Sequence, residues 1–148
     1  MNSDFKDLLE VLNECGVEYL VVGGHAVMRY TEPRFTKDLD LWVSNSAENA
    51  DRLFRALARY GAPLGDATPA DFTTPDGWFQ IGQAPVRVDI LLAVPGLHFA
   101  DAWAHRTVGR IFGVEAAFLS LEHLLLAKEA AGRAQDRADA RRLRRAMG

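Results

Sequence analysis

The sequence predicts a mixed α/β (α+β) fold, with a β-sheet flanked by helices and a pair of helices at the C-terminal end. Three observations carry that expectation. Short β-rich runs and amphipathic helical stretches are interleaved, without the regular strand–helix–strand alternation and Gly-x-Gly-x-x-Gly turn of a dinucleotide-binding sheet. Two of the β-rich runs, residues 38–43 and 86–92, carry aspartates among apolar side chains. The chain closes with two helical stretches in succession. At 148 residues, 49% hydrophobic and 25% charged, it has the size and balance of one globular domain with its own core. The expected division is a core over about residues 1–118 and C-terminal helices over about 119–147.

The elements follow in order. In residues 3–15, Phe5, Leu8, Leu9, Val11 and Leu12 recur at helical spacing, with Ser3 as a cap and Gly16 as a stop. Residues 18–22 form a short β-rich run into Gly23-Gly24, and 25–30 a short helix. Residues 31–37, with Pro33, read as a loop, and 38–43 as a second strand. Ser46 caps a helix over 47–60 that turns Leu53, Phe54, Leu57 and Ala58 inward. Pro63, Gly65, Pro69 and Pro75 make 61–76 a loop. Strands are expected at 79–81 and 86–92, a helical turn at 99–105, and a hairpin from 108–112 and 115–118 around Gly113. Helices over 120–131, capped by Ser120 and stopped near Gly132, and 135–146 complete the chain.

Composition narrows the function classes. A net charge of −3 argues against general DNA binding. The arginines Arg133, Arg137, Arg141, Arg142, Arg144 and Arg145 nevertheless gather at one end, as either a solvated helix face or a cationic rim for phosphates or RNA. Cys15 is the one cysteine; no intramolecular disulfide can form, which fits a reducing compartment. Residues 1–7 lack the cationic start and apolar run of a signal peptide, and no stretch approaches the roughly 20 apolar residues of a membrane span, so a cytoplasmic location without a membrane partner is expected.

The chemistry is concentrated in acids. Asp38 and Asp40 are two apart on a strand, so both point to one face while Leu39, Leu41 and Val43 point to the other. Asp89 interrupts Val86, Val88, Ile90 and Leu91 in the same manner. A carboxylate in such a run is costly to bury unless paired or bound to metal. If the two strands are neighbours, three carboxylates meet at one sheet edge, a donor set suited to a hard divalent cation. Each acid alone is more often a solvated, strand-end or salt-bridged residue.

Gly23-Gly24 sits between a strand and a helix, where glycine permits close backbone approach and free amides attract phosphate. A plain tight turn is the other reading. Arg29 and Arg34 lie between the glycines and the acids, suited either to phosphate or to balancing the carboxylates, and His25, with no His or Cys partner at metal spacing, reads as a polar wall residue.

Taken together, Gly23-Gly24, the Arg34-Phe-Thr36-Lys-Asp38-Leu-Asp40 segment and Val86-Arg-Val-Asp89-Ile-Leu resemble the signature of the polymerase-β-like nucleotidyltransferase superfamily. The segment from Leu119 through Lys128 and Arg133 to Asp136 and Asp139 is similar to the third motif of AbiEii-like bacterial nucleotidyltransferases, the toxins of abortive-infection systems and their small relatives. The resemblance implies a polymerase-β-like fold, an NTP donor and Mg²⁺. It maps Asp38, Asp40 and Asp89 onto the metal-binding and catalytic carboxylates, Gly23 and Gly24 onto the phosphate-contacting turn, and Lys128 and Arg133 onto nucleotide-binding positions. Lys128 could equally reach solvent from an apolar helix, and Asp136 and Asp139 could be first-turn acids of the last helix. Two departures stand out: Gly24 replaces the serine of many relatives, and the chain ends soon after the third motif, where larger toxins carry a further helical domain.

The implied function is NMP transfer from an NTP to an acceptor hydroxyl of RNA or protein, in a toxin–antitoxin or phage-defence setting with a possible cognate partner. A non-catalytic, antitoxin-like module and a small-molecule (antibiotic-type) nucleotidyltransferase are the alternatives. Trp42 is expected in the core, and Trp78 and Trp103 either there or stacked on a base.

Overall fold

A computed structural model describes residues 3–83 and 86–148. The elements are α1 (Ser3–Glu14), β1 (Tyr19–Val22), α2 (Gly23–Tyr30), β2 (Asp38–Val43), α3 (Ala47–Tyr60), β3 (Trp78–Gln83), β4 (Val86–Leu91), α4 (Phe99–Ala104), β5 (Thr107–Ile111), β6 (Val114–Phe118), α5 (Leu121–Ala131) and α6 (Ala134–Met147). The six strands form one mixed sheet in the order β3-β4-β2-β1-β6-β5. Strands β2 and β4 are parallel, as are β1 and β6, while β1–β2, β3–β4 and β5–β6 are antiparallel.

Alternation along the strands splits the core into two layers. Leu39, Leu41, Val43, Val88 and Ile90 face α1 and α3, where Leu8, Leu9, Leu12, Leu53 and Leu57 are almost wholly buried. Leu20, Val22 and Trp42 face the other way, against Ala26 and Val27 of α2, Ala102 of α4, Leu124 of α5 and Leu143 of α6. This second layer carries Asp38 and Asp40, because they share the phase of Trp42 along β2. The buried Asn49 ties α3 to the sheet ends by donating to Glu18 O and Ser44 O and accepting from Glu18 N.

Several element boundaries move. The expected 61–76 loop contains a 3-10 turn at Pro69–Thr73: Pro69 opens it, where a missing N–H costs nothing, and Thr68 and Asp71 cap it reciprocally. Its Phe72 is buried against Phe79. Strand β3 is six residues long rather than three, since it pairs with β4 along its whole length. On α3 the inward residue is Ala56, whereas Ala58 is exposed. Cys15 lies just beyond α1, half-buried against the first core layer. Ser46 and Ser120 cap α3 and α5 as expected, each accepting from a backbone N–H three residues on, contacts worth about 1 kcal/mol apiece. Ser3 is the first residue of α1; its side chain, the expected cap, lies outside the described residues, as does that of Val86. Among the described residues no helix is long and apolar enough to cross a membrane.

Candidate active site

The parallel pairing of β2 with β4 sets Asp38 opposite Arg87 and Asp40 opposite Asp89. These strands lie inside the sheet, not at its edge, so the expected edge location is corrected: three strands, β1, β2 and β4, deliver the site. Asp40 and Asp89 touch carboxyl to carboxyl, and Gln80 on β3 donates to Asp89 from 3.1 Å. Among the described residues neither of these two acids has an ion-pair partner. Burial is the main reason that the Asp40 carboxyl is pushed up to about 6; the charge of Asp89, its hydrogen bond and the charge of Asp38 add to it, and Lys128 opposes.

Gly23 explains why the pair fits. A Cβ on Gly23 would lie 2.1 Å from Asp40 Oδ2, and the residue has φ +69°, a conformation that favours glycine. Gly23 also opens α2, whose N-cap, Val22, supplies no side-chain acceptor to the first-turn amides. Val22 pairs with Asp40 in the sheet, so these amides open beside the carboxylates. Gly24 makes room for Thr36, whose Oγ1 would lie 2.8 Å from a Cβ there.

Asp38 shares the face of Asp40, but its carboxylate accepts a 2.6 Å hydrogen bond from Arg87 Nη2. Among the described residues no three His, Cys, Asp or Glu side chains converge tightly enough to hold a metal ion as they stand. The donor set still fits a hard cation: two contiguous carboxylates with no ion-pair partner among the described residues, at a cradle kept open by Gly23, and a third on the same face held by a guanidinium.

Across from the sheet stand Lys128 of α5 and the acids of α6. Lys128 does not reach solvent: its side chain is 14% exposed, and Nζ lies 3.0 Å from Asp139 and 3.4 Å from Asp136. Asp139 is fully buried and also takes both guanidinium nitrogens of Arg34, at 2.5 and 3.3 Å, and the Gln135 amide. Burial alone would raise Asp136 and Asp139. Hydrogen bonds and charge from Arg133 and Lys128 in the first case, and Arg34 and Lys128 in the second, outweigh it and hold both below the usual carboxylate range. Asp136 is indeed a first-turn acid of α6, accepting from the Arg133 N–H at 3.2 Å, whereas Asp139 lies a turn further on and is not. Arg133 is 80% exposed and hydrogen-bonds Asp136.

The remaining candidates have other tasks. Arg34 balances Asp139 rather than the carboxylates of β2, and Arg29 packs over Phe118 and binds Thr107 and Val108 O. His25 stacks edge-on against Phe112, with its Nε2 buried and unpartnered among the described residues. Trp42 is in the core as expected, Trp103 stacks on Phe99 under Arg106, and Trp78 is 60% exposed. Sequence reasoning missed Arg87, although its place two residues before Asp89 put it on the same strand face.

A recess of about 250 Å³ brings these parts together: Gly23, Asp40, Lys128, Arg133 and Asp136 line it, together with apolar residues such as Leu124. A larger one, about 400 Å³ beside Tyr19, Trp103 and Arg106, holds neither the carboxylate pair nor the glycine turn.

Comparison with solved structures gives the fold. The lincosamide antibiotic adenylyltransferase LnuA, in its lincomycin-bound crystal structure, superposes with a TM-score of 0.62 at 15% identity, over 97% of this chain and 96% of that one. A candidate nucleotidyltransferase of Thermotoga maritima, TM1012, superposes with a TM-score of 0.62 at 16% identity, over 93% and 88%. No curated protein matches the sequence significantly. A family model described as "Nucleotidyl transferase of unknown function (DUF2204)" matches residues 1–148. The chain belongs to that nucleotidyltransferase family, and its fold is that of the polymerase-β-like nucleotidyltransferases.

Proposed function

We propose that the protein transfers an NMP group from an NTP to an acceptor hydroxyl, with Asp38, Asp40 and Asp89 as ligands of Mg²⁺. The observation that carries this reading is the register of Asp40 with Asp89 on adjacent parallel strands, carboxyl against carboxyl, over the Gly23 turn. When bound, Mg²⁺ would supply charge neutralisation at the phosphates and acidify the attacking hydroxyl. The chain's own groups do the rest. The first-turn amides at Gly23 and Gly24 receive phosphate oxygens, Lys128 and Arg133 offset the triphosphate charge, and Asp89 accepts the hydroxyl proton. The acceptor oxygen bonds to the α-phosphorus as the bond to the departing pyrophosphate breaks.

For the acceptor, the favoured class is RNA or protein. The exposed arginines of α6, Arg137, Arg141, Arg144 and Arg145, support an anionic partner, and Arg133 at the recess joins that face to the site. A toxin–antitoxin or phage-defence setting, with a cognate partner protein, rests on the resemblance of the third motif alone. A small-molecule acceptor is the second reading, supported by the partly apolar 250 Å³ recess at Asp40 and by likeness over the full chain to an antibiotic adenylyltransferase.

The test is transfer of label from each of the four α-labelled NTPs, with Mg²⁺, to total RNA, to soluble protein and to a panel of hydroxylated antibiotics. Label in a macromolecular fraction supports the first reading and label on a small molecule the second. A protein that binds no NTP in the presence of Mg²⁺ would instead be a non-catalytic module of the same fold.

A further inference from the structure

We propose that Arg87 is an internal counter-cation of the carboxylate site: it holds Asp38 until a divalent ion displaces it, and so governs how tightly the site loads metal. The inference rests on the reading of Asp38, Asp40 and Asp89 as metal ligands. Arg87 and Asp38 lie directly opposite each other on β4 and β2 and pair at 2.6 Å. Both are half-buried, with side-chain exposures of 34% and 24%, so the attraction is only partly screened. The pairing is nevertheless incomplete. Arg87 Nε is buried with no hydrogen-bond partner among the described residues, so the guanidinium leaves one donor unsatisfied where it sits.

The two acids beside it are in the opposite condition. Asp40 and Asp89 face each other with no ion-pair partner among the described residues and form the open part of the site. A first cation can land on them without disturbing any existing pair. Asp38 joins only when the guanidinium leaves. The freed Arg87 stays two residues from Asp89 on the same strand face, where an anionic phosphate can take the place of Asp38. Metal and nucleotide should therefore bind better together than either does alone, because the nucleotide gives the displaced arginine a new partner.

The test is calorimetric titration of Mn²⁺ alone into the wild-type protein, Arg87→Gln, Arg87→Lys and Asp40→Asn. Removing the competing charge in Arg87→Gln should tighten Mn²⁺ about tenfold, and Arg87→Lys, which keeps the charge, should stay within about threefold of wild type. Arg87→Gln binding Mn²⁺ no more tightly than wild type overturns the inference. If that variant does not fold, a wild-type crystal structure with Mn²⁺ decides: the guanidinium should lie beyond salt-bridge distance of Asp38, and bound Mn²⁺ beside an intact Arg87–Asp38 pair overturns the proposal. Asp40→Asn separates the two levels. Loss of Mn²⁺ binding there leaves the metal-site reading standing whatever Arg87 does, whereas undiminished binding removes that reading and this inference with it.

Discussion

Two pairs of aspartates face each other across the second core layer, and their environments are opposite. Asp136 and Asp139 on α6 are almost fully buried, yet Arg34, Lys128 and Arg133 supply their counter-charges from the chain itself. Both stay below the usual carboxylate range. Asp40 and Asp89 are less buried but have no ion-pair partner among the described residues, and Asp40 is driven up to about 6. A pair that brings its own cations is structural, fixing α5 and α6 against the loop before β2. A pair that lacks them costs the fold stability, which is the expected signature of a site completed by something from outside. Lys128 links the two, bonded to the first pair and attracting the second.

The sharpest way to break this contrast is to neutralise one member of each pair. Asp40→Asn should lower nucleotidyl transfer by about 10³-fold or more, as loss of a metal ligand does, with an intact thermal unfolding transition. Transfer within tenfold of wild type would put Asp40 outside the chemistry. Asp139→Ala should act the other way, on the fold. It strands Arg34 in a half-buried setting, leaves Lys128 with the longer Asp136 contact, and should cost about 3–5 kcal/mol in urea unfolding. A loss below about 1 kcal/mol would mean that α6 does not depend on this hub.

Gly23→Ala sharpens the comparison at the glycine turn. The added methyl meets Asp40 Oδ2, and alanine resists the φ of +69°. A destabilisation of about 1–3 kcal/mol is expected, together with weaker metal binding as Asp40 is pushed aside. A neutral substitution, read by the same unfolding and titration, would mean the turn has slack.

The smallest effect is the pH dependence of metal-free stability, and here the two pairs have opposite signs. Asp40 binds its proton more tightly in the fold than in the unfolded chain, so its contribution is complete at low pH. It declines as pH rises from about 4, where unfolded aspartate titrates, through about 6, by about 1–3 kcal/mol. Asp136 and Asp139 bind theirs less tightly when folded. They contribute above the ordinary carboxylate range, and that contribution is lost as pH falls below it. The metal-free protein should thus be most stable in weak acid. Asp40→Asn should remove the decline on the neutral side while leaving the acid limb, and saturating Mg²⁺ should flatten it in the wild type.

How much of this was legible in the sequence depends on the range of the interaction. Strand alternation put Asp38 and Asp40 on one face and Leu39 and Leu41 on the other, and capping chemistry fixed α3 and α5, because these are local rules. The same alternation marked Arg87 as a neighbour of Asp89, but an arginine on a strand reads as surface until its partner strand is known. That partner is Asp38, 49 residues away. Asp139 was still less readable: its bond to Arg34 spans 105 residues and exists only because α6 packs behind the loop before β2. The 3-10 turn at Pro69–Thr73 was hidden because proline, read as a breaker, also opens helical turns.

The open carboxylate pair on β2 and β4 is proposed to bind nucleotide through a divalent cation. Calorimetry of ATP, GTP, CTP and UTP with the wild-type protein and Asp89→Asn, each with Mg²⁺ and with EDTA, tests it directly. At least one NTP should bind the wild type only when Mg²⁺ is present, and that binding should be lost in Asp89→Asn. Equal binding with EDTA, or binding unchanged by the substitution, would contradict it.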